Sequence, residues 1–187
     1  RLSAERLSYK IISAIFIAKV SNKDKQRIEK IMEAKRVADS LTEQVQILMP
    51  SHINGAGRLF GGQLMQWIDV VAAVVARRHS GRNVTTVAVD NLQFKAGAFI
   101  NDTLVLIGRI TYVGKTSMEV RVDTYVENMK GIRNVVNRAY LVMVALDDDG
   151  NPVEVPSLII ETESERAEWE AGKNRYQLRK SRRTEGY

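Results

Sequence analysis

Hydrophobic and polar positions alternate with period two along much of the chain, and one stretch breaks into helical spacing. From Thr42, Val45, Ile47 and Met49 alternate with Gln44, Gln46 and Leu48, which predicts a short strand stopped by Pro50. A glycine-rich loop follows, Asn54-Gly55-Ala56-Gly57, and then a glycine pair, Gly61-Gly62. Residues 63–79 carry Leu64, Ile68, Val71 and Val75 at spacings of three and four, the apolar stripe of a helix, and Gly81 is a suitable stop. Four strands are expected next: Val84 to Phe94, Leu104 to Val113, Thr116 to Glu127 and Val135 to Leu146. The third is the clearest, with Met118, Val120, Val122, Thr124 and Val126 on one face and Glu119, Arg121, Asp123, Tyr125 and Glu127 on the other. Thr162 to Arg183 reads as a charged helix.

Strands joined by short turns pair antiparallel, and one apolar helix must cover one face of their sheet. The expected class is therefore α+β, a single helix against an antiparallel sheet. Residues 41–160 form this domain, 161–187 a charged C-terminal helix or tail, and 1–40 an N-terminal extension of uncertain structure. Within the extension, Ile11 to Ala18 is apolar but too short to cross a bilayer, which takes about 20 residues. It faintly resembles a signal peptide, yet no small-x-small cleavage site follows. Met32 would serve as a natural start, with the preceding residues helical or poorly ordered. A cytoplasmic location without a membrane span is expected.

Composition mainly excludes. The 187 residues contain no Cys and two His, so there is no disulfide framework, cysteine nucleophile, zinc-thiolate site or His-rich metal cage. The net charge of +6 lies at the ends: residues 1–40 hold 10 basic and 5 acidic side chains, residues 41–160 hold 11 of each, and residues 161–187 hold 7 and 6. A nucleic-acid surface needs clustered Lys and Arg, so the central domain is not expected to bind nucleic acid.

Three tempting motifs fail on spacing. Gly108 to Gly114-Lys115-Thr116 has five residues between its glycines where a phosphate-binding loop has four, and it joins two strands. Asp147-Asp148-Asp149-Gly150 suits a hairpin turn better than a calcium loop. No Gly-x-Ser-x-Gly elbow is present.

The stretch from His52 to His79 is different. A glycine pair opening a helix exposes backbone N–H groups with no intrahelical acceptor, and these can polarise a carbonyl. Asp69 interrupts the apolar run seven residues past Gly62, where desolvation among Trp67, Ile68, Val70 and Val71 would raise its basicity. Asn54 offers an amide to a water or carbonyl oxygen. Plainer readings stand beside these: Asp69 on a polar stripe with Gln66, Ala73 and Arg77, Asn54-Gly55 as a turn pair, and the glycines as a means of tight packing.

The run from Asn54 to Asp69, NGAGRLFGGQLMQWID, resembles the signature of the hotdog-fold acyl-CoA thioesterases of the acyl-CoA hydrolase type. The resemblance continues through Gly114-Lys115-Thr116-Ser117-Met118-Glu119-Val120, through Val144 to Asp147, and through Asn151-Pro152-Val153-Glu154-Val155-Pro156, covering roughly residues 41–160. It implies a hotdog fold, in which an antiparallel sheet wraps one central helix, assembled as a double-hotdog dimer and further into a hexamer. It also implies active sites between protomers, with Asn54 from one chain and Asp69 from its partner. Hydrolysis of acyl-CoA to a carboxylic acid and coenzyme A would follow. Asp69 would be general base or nucleophile, the N–H of Gly62 at the helix start would polarise the thioester carbonyl, and Asn54 would position water or carbonyl. Gly61, Arg58, Lys115, Thr116 and Ser117 would contact the substrate and its coenzyme A part. No metal or separate cofactor is required. The family's loop after the second strand often carries Pro and Gly-Asp; here Lys95-Ala96-Gly97 and Asn101-Asp102 stand there. The competing reading is a hotdog sensor that binds acyl-CoA without turnover and uses a basic N-terminal arm on DNA or membrane.

Overall fold

The computed structural model describes residues 34–186, and among them Lys35 onward forms one compact unit. The N-terminal arm expected to be helical or poorly ordered lies outside the described residues. The elements are β1 (Lys35–Arg36), α1 (Val37–Ser40), β2 (Thr42–Ile47), a 3-10 turn (Pro50–His52), α2 (Gly61–Ser80), β3 (Asn83–Phe94), β4 (Thr103–Val113), β5 (Ser117–Glu127), β6 (Arg133–Leu146), β7 (Leu158–Ile159) and α3 (Glu163–Glu185). Five of the strands make one antiparallel sheet in the order β2-β4-β5-β6-β3, while β1 and β7 pair in parallel. Residues 35–40, assigned from the sequence to the extension, therefore join the chain's C-terminal segment through that pair.

The inner face of the sheet wraps α2 as the apolar spacing requires. Leu64, Ile68, Val71 and Val75 are all buried, together with Ala72, Ala76 and His79. They meet Leu104, Leu106 and Ile110 of β4, Met118, Val120 and Val122 of β5, and Ala139, Leu141 and Met143 of β6. Each fully buried Leu or Ile of this kind contributes about 1.5–3 kcal/mol. Helix and sheet come closest at the cross-strand row Gly108–Val122–Ala139. A Cβ on Gly108 would lie 2.7 Å from Val71 Cγ1 and 2.8 Å from Val75 Cγ2, so only glycine admits the helix there. The helix ends at Gly81, whose φ of 66° lets its N–H close on the Arg77 carbonyl. His79, fully buried in the last turn, donates from Nε2 to the Pro156 carbonyl (3.0 Å), and burial pulls its pKa below the ordinary imidazole value.

The outer face departs from the simple picture of one helix on one sheet face. The polar side of β5 does not face water, because α3 lies over it. Gly172 makes this possible: a Cβ there would sit 2.7 Å from Tyr112 Cβ and 2.9 Å from Glu119 Oε1. Glu119 and Asp123 are buried to zero side-chain exposure. Asp123 is clamped by Arg109 (2.9 Å), Arg121 (2.7 Å) and Arg138 (2.7 Å), and Arg121 also pairs with Glu168 of α3. Glu119 is held by Arg175 (2.8 Å) and Arg179 (2.9 Å) of α3 and accepts from the Thr111 hydroxyl (2.8 Å). The charged helix expected from Thr162 is thus an ion-paired second layer, started by a capping box between Thr162 and Glu165.

Candidate active site

Asp69 projects from the third turn of α2 and is exposed. Its apolar helix neighbours do not enclose it within one chain: Ile68 and Val71 turn into the core, and Val70 is itself 50% exposed. Its partner is Thr86 of β3, whose hydroxyl donates to Asp69 Oδ1 at 2.5 Å. Asp69 also lines a cavity of about 150 Å³ together with Met65, Ile68, Val89, Leu92 and Leu141. Thr86 is the residue that sequence reasoning missed. In a run such as Thr85-Thr86-Val87-Ala88-Val89 a threonine reads only as a strand former. Bulges between Thr86 and Ala88 and between Val89 and Asn91 interrupt the pairing of β3 with β6. They put Thr86 and Val89, three residues apart, on the same side beside Asp69.

Asn54 belongs to a loop closed on itself. Its N–H donates to the Arg58 carbonyl (2.8 Å), and its side-chain oxygen accepts from the N–H groups of Ala56 (2.9 Å) and Arg58 (3.2 Å). The turn-forming reading of Asn54 is therefore correct for the amide oxygen, while the Nδ2 amide group retains both donors. Asn54, Arg58 and Gly61 line a second cavity, about 520 Å³, together with Phe94 and Lys95. The N–H of Gly62 makes no hydrogen bond to a described residue, since the first helical bonds come from Gln63 and Leu64 to the Phe60 carbonyl. The Phe60 ring lies over Gly62, 2.6 Å from where a Cβ would be.

Lys115, Thr116 and Ser117 form a third group at the β4–β5 turn. Lys115 Nζ lies 3.3 Å from Glu154 Oε1, both well exposed, and all three residues line a cleft of about 350 Å³ against α3. Within one chain the expected site residues thus divide among three cavities, with Asn54, Arg58 and Gly61 in one, Asp69 in another and the Lys115 turn in the last, while Gly62 lines none of these. The exposed apolar side chains Phe60, Met65, Val70, Val87, Val89 and Phe94 lie along the elements that carry Asn54, Asp69 and Thr86. Among the described residues no cluster of His, Asp and Glu could hold a metal ion, and no helix is long and apolar enough to cross a membrane.

Comparison with known proteins identifies the family. The Thioesterase superfamily model matches residues 56–132. A Bacillus subtilis protein named as an uncharacterized acyl-CoA thioester hydrolase is 36% identical over 134 residues, covering 71% of this chain and 78% of that protein. The chain spans only 40% of the length of the rat cytosolic acyl coenzyme A thioester hydrolase, at 33% identity. Among solved structures, the acyl-CoA hydrolase of Staphylococcus aureus in complex with butyryl coenzyme A and coenzyme A superposes with a TM-score of 0.77 at 31% identity, covering 81% of this chain and 93% of that one. A hexameric acyl-CoA thioesterase gives the same TM-score at 36% identity, with 80% and 96% covered. The Staphylococcus aureus protein has also been solved with an Asn, an Asp and a Thr each replaced by Ala. Those three lie 15 and 17 residues apart in that chain, the intervals that separate Asn54, Asp69 and Thr86 here. The chain belongs to the hotdog-fold thioesterase superfamily, among the acyl-CoA thioester hydrolases.

Proposed function

We propose that this protein hydrolyses acyl-CoA thioesters at a site completed by two copies of the chain, Asn54 coming from one and Asp69 with Thr86 from the other. The observation that carries this reading is the hydrogen bond from Thr86 to Asp69, whose carboxylate also lines an apolar cavity. It fixes one carboxylate oxygen and leaves the other to act, with apolar walls beside it for an acyl chain. The separation of Asn54 from Asp69 within a chain supports a shared site, as does the exposed apolar surface around Asp69. The hexameric assembly of the similar thioesterase supports self-association.

In the proposed reaction Asp69 takes a proton from water as the oxygen attacks the thioester carbonyl. The developing oxyanion is met by the Gly62 N–H at the positive end of α2, an interaction of a kind worth about 2.7–4 kcal/mol in the transition state. Collapse expels the coenzyme A thiolate, which recovers a proton. Asn54 Nδ2 holds the water or the carbonyl. In the alternative course Asp69 attacks directly, and water then hydrolyses the mixed anhydride. Arg58 and the Lys115-Thr116-Ser117 turn contact the coenzyme A part, and neither course uses a metal or a further cofactor.

A thiol-release assay across short, medium and long acyl-CoAs tests this reading. Turnover of at least one chain length is expected, with a loss of about 10²–10⁴-fold in folded Asp69→Ala. Full activity in that variant would contradict the role of Asp69. Tight acyl-CoA binding without turnover would instead favour a sensor, whose basic arm lies outside the described residues.

A further inference from the structure

We propose that the C-terminal helix is part of the substrate site: Lys180 and Arg183 of α3, together with Lys115, hold the phosphates of coenzyme A. This rests on the acyl-CoA reading above and adds to it a recognition element that no motif in the chain announces.

The cleft between α3 and the β4–β5 turn carries four cations, Lys115, Arg179, Lys180 and Arg183; no carboxylate of a described residue lines it, although Glu154 pairs with Lys115 (3.3 Å). Tyr176, Arg179, Lys180 and Arg183 follow one another at spacings of three, one and three, so they share one face of α3. Their roles differ. Arg179 is consumed by Asp90 (2.7 Å) and Glu119 (2.9 Å), which anchor the helix to β3 and β5. Lys180 and Arg183 make no side-chain hydrogen bond or ion pair with a described residue, and both are exposed at the rim. Arg179 therefore fixes the helix, and its neighbours supply uncommitted positive charge. Charge of this kind, with the Thr116 and Ser117 hydroxyls opposite it, suits a phosphate-bearing ligand. Tyr176 offers an aromatic wall for a base. A cleft of about 350 Å³ falls within the usual range for small-ligand sites.

The cleft also lies within reach of the chemistry. Thr86 pairs with Met143, and Met143 pairs with Met118, which directly follows Ser117. Two strand spacings, about 10 Å in the plane of the sheet, thus separate Thr86 from the turn, with Asp69 on the inner face and the cleft on the outer face beside the same edge strand. The bulge at Val87 lets the same strand face both places: Thr86 touches Asp69, whereas Val87 and Ala88 line the cleft. Acyl-CoA is long, with its phosphates at the end away from the thioester, and so matches a carboxylate at one end of such a path and cations at the other.

Two measurements on the full chain and on Lys180→Ala/Arg183→Ala decide the matter. In calorimetry with adenosine 3′,5′-bisphosphate, the double variant should bind about tenfold more weakly or worse, and restoring charge with Lys180→Arg/Arg183→Lys should recover binding. In kinetics, the ratio of kcat/KM for acyl-CoA to that for acyl-pantetheine, which has no nucleotide phosphates, should fall by a similar factor, through KM. Unchanged bisphosphate binding would overturn the proposal. Weakened bisphosphate binding with an unchanged kinetic ratio would also overturn it, because the cleft would then serve a separate nucleotide. If the native chain hydrolyses neither thioester, the hydrolase reading fails, while calorimetry still reports on the phosphate site.

Discussion

The two faces of the sheet treat carboxylates in opposite ways. On the inner side Asp69 is exposed and has one hydroxyl partner. On the outer side Asp123 is fully buried among three arginines. Burial alone would raise the Asp123 carboxyl, but its hydrogen bonds and charge contacts with Arg121 and Arg138 outweigh that and hold it below the usual carboxylate range. A strongly perturbed group is often read as a functional one. Here Asp123 is held by three arginines and lines none of the cavities among the described residues, whereas the exposed Asp69 lines an apolar one. In the proposed function, availability to a ligand rather than perturbation marks the working carboxylate.

That contrast can be broken by substitution. The largest effect should be on turnover: Asp69→Ala should lose about 10²–10⁴-fold in kcat while its thermal midpoint stays near that of the native chain. Asp123→Ala should do the reverse. It leaves Arg109, Arg121 and Arg138 buried or half-buried without their shared partner, and about 3–5 kcal/mol of stability should be lost in denaturant titrations. If Asp123→Ala cost activity but no stability, the division between the faces would be wrong.

Thr86→Val should come next. It removes a hydrogen bond to a charged group, worth about 1.5–3 kcal/mol, and kcat should drop roughly tenfold or more. Thr86→Ser should recover most of that, and equal loss in both variants would assign Thr86 a packing role only. Acid should produce the smallest effects. His79 resists protonation in the folded state, so stability should begin to fall as pH drops below 6.5, where the unfolded chain takes up that proton. Asp123, depressed in the folded state, adds stability above its ordinary value of 3.8 that is lost as pH falls toward its folded value. A thermal midpoint that stayed flat from pH 7 to 3 would contradict both.

Much of the architecture was legible in the chain. The α2 stripe, the Gly81 stop, the four long strands and the α3 start at Thr162 are local patterns, and the observed boundaries differ from the expected ones by a residue or two. What was not legible depends on contacts between distant segments. Alternation in β5 marks a polar face but not that α3 arrives to bury it, since Glu119 meets Arg175 and Arg179 only after folding. The Thr86–Asp69 pair depends on bulges in β3 that no periodicity marks. At Asn54 the residue type permitted a turn role and a catalytic one; the amide oxygen takes the turn role, and the Nδ2 end is the one that the proposed function uses.

The central claim is that Asn54 and Asp69 meet only across two copies of the chain, and mixing inactive variants tests it most directly. Asn54→Ala and Asp69→Ala are unfolded together in equal amounts, refolded, and assayed beside each variant alone. A shared site predicts that half of the pairs are mixed and that each mixed pair carries one intact site, so the mixture should recover about one quarter of native activity. Activity no greater than that of the separate variants would place both residues in a single-chain site and contradict the claim.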